Sequence, residues 1–208
     1  MSATSSGLPV VVAGGGIGGL AAALALVRQG FQVKVLEQSA RMGEIGAGIQ
    51  LGPNAFAAFD ALGIGPIARS RAVYTDFMVM HDAVDEYQVG TIPTGAAFRE
   101  RFGNPYAVIH RADVHGSLLE GAQATGRIEI ATSTTVERVE QDDTGVTVID
   151  AKGGRHRGRF LIAADGVKSA VRKQYVVRND LWKGLSPERF YDAMEWLYAW
   201  NVQNCLAR

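Results

Sequence analysis

The string Gly14-Gly-Gly-Ile-Gly-Gly19, set between two apolar runs, is the strongest constraint on how this chain can fold. Leu8 to Ala13 reads as a short strand buried on both faces, with Pro9 tolerable because it stands at the strand's start. After the glycines, Ile17, Leu20, Ala21, Leu24 and Ala25 recur at helical spacing, and Gly30 stands where a C-terminal cap belongs. Phe31 to Leu36 returns to strand-like residues and ends on Glu37. Strand, glycine turn, helix and strand make one βαβ unit, so the expected class is α/β with a Rossmann-like dinucleotide-binding core. In the G-x-G-x-x-G pattern, Gly14 permits the tight turn, Gly16 lets backbone approach a pyrophosphate, and Gly19 lets helix and sheet pack closely. The helix N-terminus offers N–H groups and a positive dipole end to phosphates. Glu37 can accept hydrogen bonds from ribose hydroxyls and would repel a 2′-phosphate, which favours FAD or NAD over NADP. The residues alone do not separate FAD from NAD.

The same stretch admits a different fold in principle. Leu8 to Val27 carries no charged residue and is long enough, at roughly 20 residues, to span a bilayer. Its glycines, Pro9 and the lack of a preceding basic cluster speak for a buried strand, turn and helix, and the chain is not expected to be transmembrane. Lys plus Arg and Asp plus Glu are both 21, so charge gives no reason to expect a nucleic-acid partner. The lone Cys205 excludes an intrachain disulfide framework and a Cys-rich metal site, and fits a reducing cytoplasm. No metal-ligand spacing occurs.

Further along, a glycine-rich loop runs from Gly43 to Gly52. A helix is expected from about Asn54, with Phe56, Phe59 and Leu62 on one face and Gly63 ending it. Thr75 to Thr91 reads as paired strands, and Tyr106 to Ile109 as another. A helix from about Asp113 carries Val114, Leu118 and Ala122 inward. His110 and His115 flank its start with no carboxylate or Cys partner in the pattern, so no catalytic role is assigned to them. Ile128 to Ile149 looks like a strand meander turned at Asp142-Asp143-Thr144-Gly145. Phe160 to Ala164 is expected to be a final buried strand, leading to Asp165-Gly166 and a short helix. Beyond Val176 the character changes. Trp182, Trp196 and Trp200 gather there, and Ser186-Pro187 opens an expected helix with Phe190, Met194 and Leu197 on its inner stripe.

Four separated strings carry a resemblance. Val10-Val-Val-Ala-Gly-Gly-Gly-Ile-Gly-Gly-Leu20, Glu44-Ile-Gly-Ala-Gly-Ile-Gln-Leu-Gly-Pro-Asn54, Tyr106-Ala-Val-Ile-His-Arg-Ala-Asp113 and Leu161-Ile-Ala-Ala-Asp-Gly-Val-Lys-Ser-Ala-Val-Arg172 stand in order. Together they resemble the single-component FAD-dependent aromatic hydroxylases, in the group of 3-hydroxybenzoate 6-hydroxylase and salicylate hydroxylase. The resemblance implies FAD as bound cofactor, NADH as co-substrate and a small phenolic acid as substrate. It also implies roles at matched positions. Gly14, Gly16 and Gly19 would hold the pyrophosphate and Glu37 the adenosine ribose. Gly46, Ala47 and Gly48 would pass close to the flavin end, and Arg111 would reach the phosphate or ribityl region. Val136 would meet the adenine through its backbone. Asp165 and Gly166 would serve FAD and the path of the nicotinamide, with Arg172 in support.

Bland alternatives stand beside these roles. Arg111 could be a surface arginine, Asp165 a helix cap, and Gly46 and Gly48 loop punctuation. No catalytic residue is assigned. The implied organisation is an FAD-binding domain over 1–176, with a remnant of the substrate sheet near 75–105, and a helical tail over 177–208. Val177 to Gly184 and Pro187 to Asn201 resemble the extreme C-terminus of the same hydroxylases, so an internal deletion is expected to join the two parts at Val176/Val177. The Gly-Asp motif followed by Ala-Ala-His-Pro that the resemblance leads one to expect is not in the sequence. Impaired hydroxylation is therefore expected. The other readings are a non-catalytic flavin- or nucleotide-binding fragment, an interaction module whose aromatic tail docks on an intact hydroxylase subunit, and an NAD-dependent dehydrogenase. The last is disfavoured because no Tyr-x-x-x-Lys or comparable catalytic set follows downstream. Association as a homo-oligomer or with a full-length homologue is the partner expectation.

Overall fold

The computed structural model describes residues 7–43 and 46–175. The expected tail helix, Cys205 and the expected join at Val176/Val177 lie outside the described residues. By contacts the chain divides into units of 1–171 and 172–208, and the architecture below is that of the first.

The chain opens with β1 (Val10–Ala13), α1 (Ile17–Arg28) and β2 (Val33–Leu36). The uncharged run from Leu8 to Val27 is thus a strand, a glycine turn and most of a 12-residue helix. No helix among the described residues is long and apolar enough to cross a membrane. Helix α1 stops because Gly30 takes a left-handed φ of 91°. Its N–H then reaches Val27 O at 3.0 Å, and Phe31 N–H reaches Leu26 O at 3.1 Å.

Two further groups of elements follow. The first holds β3 (Gly48–Leu51), α2 (Pro53–Leu62), α3 (Gly65–Arg71), β4 (Val73–Tyr74), β5 (Phe77–His81), β6 (Gln88–Pro93) and α4 (Ala96–Phe102). The second holds β7 (Ala107–His110), α5 (Arg111–Ala124), β8 (Ile128–Ala131), β9 (Val136–Asp142), β10 (Gly145–Asp150), β11 (Arg155–Gly158), β12 (Leu161–Ala163) and α6 (Ala170–Tyr175). The central sheet is parallel, in the order β12-β1-β2-β8. Alternation along β1 sends Val12 to one face and Val11 and Ala13 to the other. Val12 packs with Ala23, Val33 and Val35. Val11 and Ala13 pack with Val139, Val146 and Val148 of the β9–β10–β11 meander. A larger core joins Leu20 and Leu24 of α1 to Phe56, Ile64, Ile109 and Leu118. Both faces of the parallel sheet are covered, which is why its strands read as continuous apolar runs.

Three expectations are corrected here. Ile128 to Ala131 does not belong to the meander: as β8 it pairs in parallel with β2, Val35 opposite Ile130. The third meander strand is instead β11, with His156 opposite Val148. The final strand is an edge strand and only half covered, because β1 is its one neighbour in the sheet among the described residues. Two short helices, α3 and α4, stand where none was read. The first is held by Ala68, fully buried, whereas α4 buries no residue and ends on Gly103 at φ 72°.

The expected paired strands at 75–91 are β5 and β6, a ribbon hydrogen-bonded to no other strand among the described residues. Its apolar residues face outward: Phe77 is 61% exposed, Met80 59% and Val89 58%.

Candidate functional site

The end of β1, the end of β2 and the end of β12 lie side by side, and the turns leaving them enclose a cavity of about 400 Å³. This is the place where a parallel sheet offers a ligand the open ends of its strands. The glycine turn forms one wall. Gly14 has a left-handed φ of 100°, and a methyl group on it would collide with the carbonyl oxygen of Ala164. Its N–H donates to Leu36 O at 2.8 Å. A methyl on Gly19 would collide with the carbonyl oxygen of Gly14, so α1 packs against the turn by backbone alone. Gly16 is the N-cap of α1 and gives it no side-chain cap, which leaves first-turn N–H groups for an anion.

Glu37 follows β2 and faces the turn. Its Oε2 accepts the Gly15 N–H at 2.6 Å, and its Oε1 accepts the Ser39 N–H at 2.8 Å. An ionised carboxylate has about four acceptor sites, so these bonds leave capacity for ribose hydroxyls. Thr134 N–H donates to Glu37 O at 2.8 Å, bringing Thr134, Thr135 and Val136 to the opposite wall. Asp165 and Gly166 close the cavity beyond β12. The Asp165 carboxylate accepts Ser169 Oγ–H at 2.6 Å and Val171 N–H at 3.2 Å, so it caps α6 while it lines the cavity.

Six of the proposed site residues therefore line one cavity: Gly14, Gly16, Glu37, Val136, Asp165 and Gly166. Gly19 stands behind the turn. Gly46, Ala47, Gly48 and Arg111 form a separate cluster outside the lining. There Arg111 N–H donates to Ala47 O at 3.2 Å, and a Cβ on Gly46 would lie 2.9 Å from Arg111 Cβ. Gly48 sits in β3 opposite His110. Glu44 and Ile45 lie outside the described residues. Arg172 is described, but as part of the second unit.

The sequence reading missed several wall residues. Arg41 and Lys168 line the cavity and supply positive charge. His115, 3% exposed, donates from Nε2 to Gly15 O at 2.9 Å. A signal for it existed, since it is a polar residue beside Val114 on the inward face of α5. Among the described residues no group of His, Cys, Asp and Glu could hold a metal.

A turn with little room for side chains, an uncapped helix end, two cations and a carboxylate facing the cavity fit a dinucleotide diphosphate. The profile of the family described as FAD binding domain matches residues 7–194. The chain belongs to that family. The 3-hydroxybenzoate 6-hydroxylase of Polaromonas naphthalenivorans (strain CJ2) is 72% identical over 176 residues, covering 85% of this chain and 44% of that protein. The 3-hydroxybenzoate 6-hydroxylase of Klebsiella oxytoca is 53% identical over 163 residues, covering 78% and 41%. The solved structure of Klebsiella pneumoniae HpxO complexed with FAD and uric acid superposes with a TM-score of 0.70 at 31% identity, over 80% of this chain and 41% of that one. The chain thus spans less than half the length of these relatives.

Proposed function

We propose that this chain binds FAD by its adenosine-diphosphate half and is of the 3-hydroxybenzoate 6-hydroxylase type, taking NADH as reductant and a phenolic acid as substrate, in the cytoplasm. The observation that carries it is the Glu37 carboxylate bonded to the glycine turn at the edge of a 400 Å³ cavity. The turn and the α1 N-terminus would hold the pyrophosphate, Glu37 the adenosine ribose, and Val136 the adenine edge. Arg111 and Gly46 to Gly48 would meet the part of the cofactor that extends beyond the cavity. Bound FAD supplies the redox chemistry of aromatic hydroxylation. What the chain's own residues do is bind and orient it.

Hydroxylation itself is proposed to be impaired. The Gly-Asp and Ala-Ala-His-Pro string is not in the sequence. Enclosure from water is what keeps such oxygen chemistry coupled to product. The test is a visible spectrum and an FAD titration of the purified chain, followed by NADH oxidation with 3-hydroxybenzoate. A yellow protein that yields hydrogen peroxide and little gentisate is expected. A colourless protein that FAD does not stabilise would overturn the cofactor assignment, and stoichiometric gentisate would overturn the impairment.

A second reading has its own observation. The β5–β6 ribbon exposes Phe77, Met80 and Val89 and pairs with no other strand among the described residues, which favours association with another copy or with a full-length homologue. Sedimentation showing a compact monomer at all concentrations, alone and mixed with the homologue, would sink it.

A further inference from the structure

The Gly15 residue is held from both sides. Its N–H donates to Glu37 Oε2, and its carbonyl accepts from His115 Nε2 across 100 residues of chain. A carbonyl oxygen has no proton to give, so Nε2 carries the hydrogen. His115 is 3% exposed and lies on the face of α5 that buries Val114 and Leu118. Burying an imidazole there carries a desolvation cost that a leucine would not incur. The bond to Gly15 offsets that cost and ties α5 to the glycine turn.

No peptide bond among the described residues is cis. In a trans peptide the carbonyl and the following N–H point in opposite directions. Fixing Gly15 C=O toward α5 therefore turns the Gly16 N–H away from α5. Neither Gly15 nor Gly16 has a side chain to bias that peptide plane, so its orientation needs an outside anchor.

We propose that His115 is a positioning residue that locks the Gly15–Gly16 peptide and so presents the Gly16 N–H to the pyrophosphate of the bound dinucleotide. The lock is a property of this chain; its ligand rests on the FAD assignment above.

The test compares the full chain with His115→Leu and His115→Gln, since glutamine keeps a side-chain N–H donor. Flavin fluorescence quenching should show the FAD Kd rising about tenfold in H115L, near the worth of one lost hydrogen bond, and returning to within about threefold in H115Q. In the FAD-free protein, the Gly16 amide resonance should move in H115L and recover in H115Q. Wild-type affinity in H115L would overturn the proposal. So would an H115Q protein as weak as H115L with its Gly16 resonance still displaced, because packing alone would then explain both. A Gly16 resonance unmoved in H115L overturns the peptide lock by itself. A wild-type chain that takes up no FAD removes the phosphate role and the cofactor assignment together, whatever the resonance does.

Discussion

The Gly15 N–H donates to Glu37 Oε2 at 2.6 Å, joining the turn after β1 to the residue that ends β2. One carboxylate thereby shapes the glycine turn and faces the cavity. Glu37→Gln keeps the length of the side chain but removes the charge and one acceptor. Charge-assisted bonds are worth about 1.5–3 kcal/mol, so FAD affinity should fall roughly 10- to 100-fold. Glu37→Asp, too short to reach Gly15, should be nearly as weak. Fluorescence titration checks both, and unchanged affinity in E37Q would show that the carboxylate does not face the ribose.

Gly18 and Gly19 are neighbours with opposite tolerance. A methyl on Gly19 meets the Gly14 carbonyl, whereas a methyl on Gly18 meets nothing within 4 Å. Gly19→Ala should cost about 1–3 kcal/mol, as overpacking of a tight contact does, and weaken FAD binding with it. Gly18→Ala should gain up to about 1 kcal/mol from helix propensity and leave FAD affinity unchanged. Chemical denaturation of the two variants measures the contrast. Equal stabilities would mean that α1 does not pack on the turn by backbone.

Asp150 supplies an acid-range prediction. Its carboxylate accepts from His156 Nε2 at 2.8 Å, Lys152 N–H at 2.8 Å and Gly154 N–H at 2.9 Å. The His156 bond first, then the backbone bond from Lys152, hold the carboxyl below the usual carboxylate range, against the opposing effect of burial. A group with a lowered folded pKa contributes stability that is whole above the unfolded value of about 4 and is lost as pH falls through the folded value. Asp150→Asn should therefore lower Tm at neutral pH and flatten its decline below about pH 4. Parallel curves for wild type and D150N across that range would refute the assignment.

The β5–β6 ribbon predicts self-association. Val79 is 49% exposed and pairs with Thr91, which puts it diagonal to Val89 on one face. Val79→Lys with Val89→Glu places a compatible charge pair there and removes apolar surface. Surface changes of this kind usually stay within about 0.5 kcal/mol. The double variant should sediment as a smaller species than wild type at high concentration, with FAD affinity unaltered because the ribbon does not line the cavity. No change in the sedimentation profile would show that the ribbon is not the contact.

Elements built from local chemistry were legible in the sequence. The β1–α1–β2 unit, the capped helix ending at Gly63 and the helix carrying Val114 and Leu118 all appear near their expected bounds. Each has its periodicity and its terminator within a few residues. Strand β8 was misassigned because Ile128 to Ala131 looks the same whether its partner is the next strand or β2, far away in the chain. Helix α4 has no buried face to betray it. In the site, Gly14, Gly16 and Glu37 could be found from spacing. His115 gave only a weaker signal, a polar residue beside Val114 on the inward face of α5, since its partner is a backbone carbonyl that leaves no trace in residue identity.

The amino-acid order was thus enough to specify a dinucleotide-binding βαβ start, its three spaced glycines and its acidic ribose candidate, because a turn, a helix period and a strand end are local. Folding in three dimensions assigned the rest. It separated Gly46 to Gly48 and Arg111 from the cavity and gave Asp165 a capping bond beside it. It also brought His115 and Val136 to a turn some hundred residues earlier. Those relations depend on how sheet, helix and meander stack, and a stacking interface is set by surfaces from distant parts of the chain.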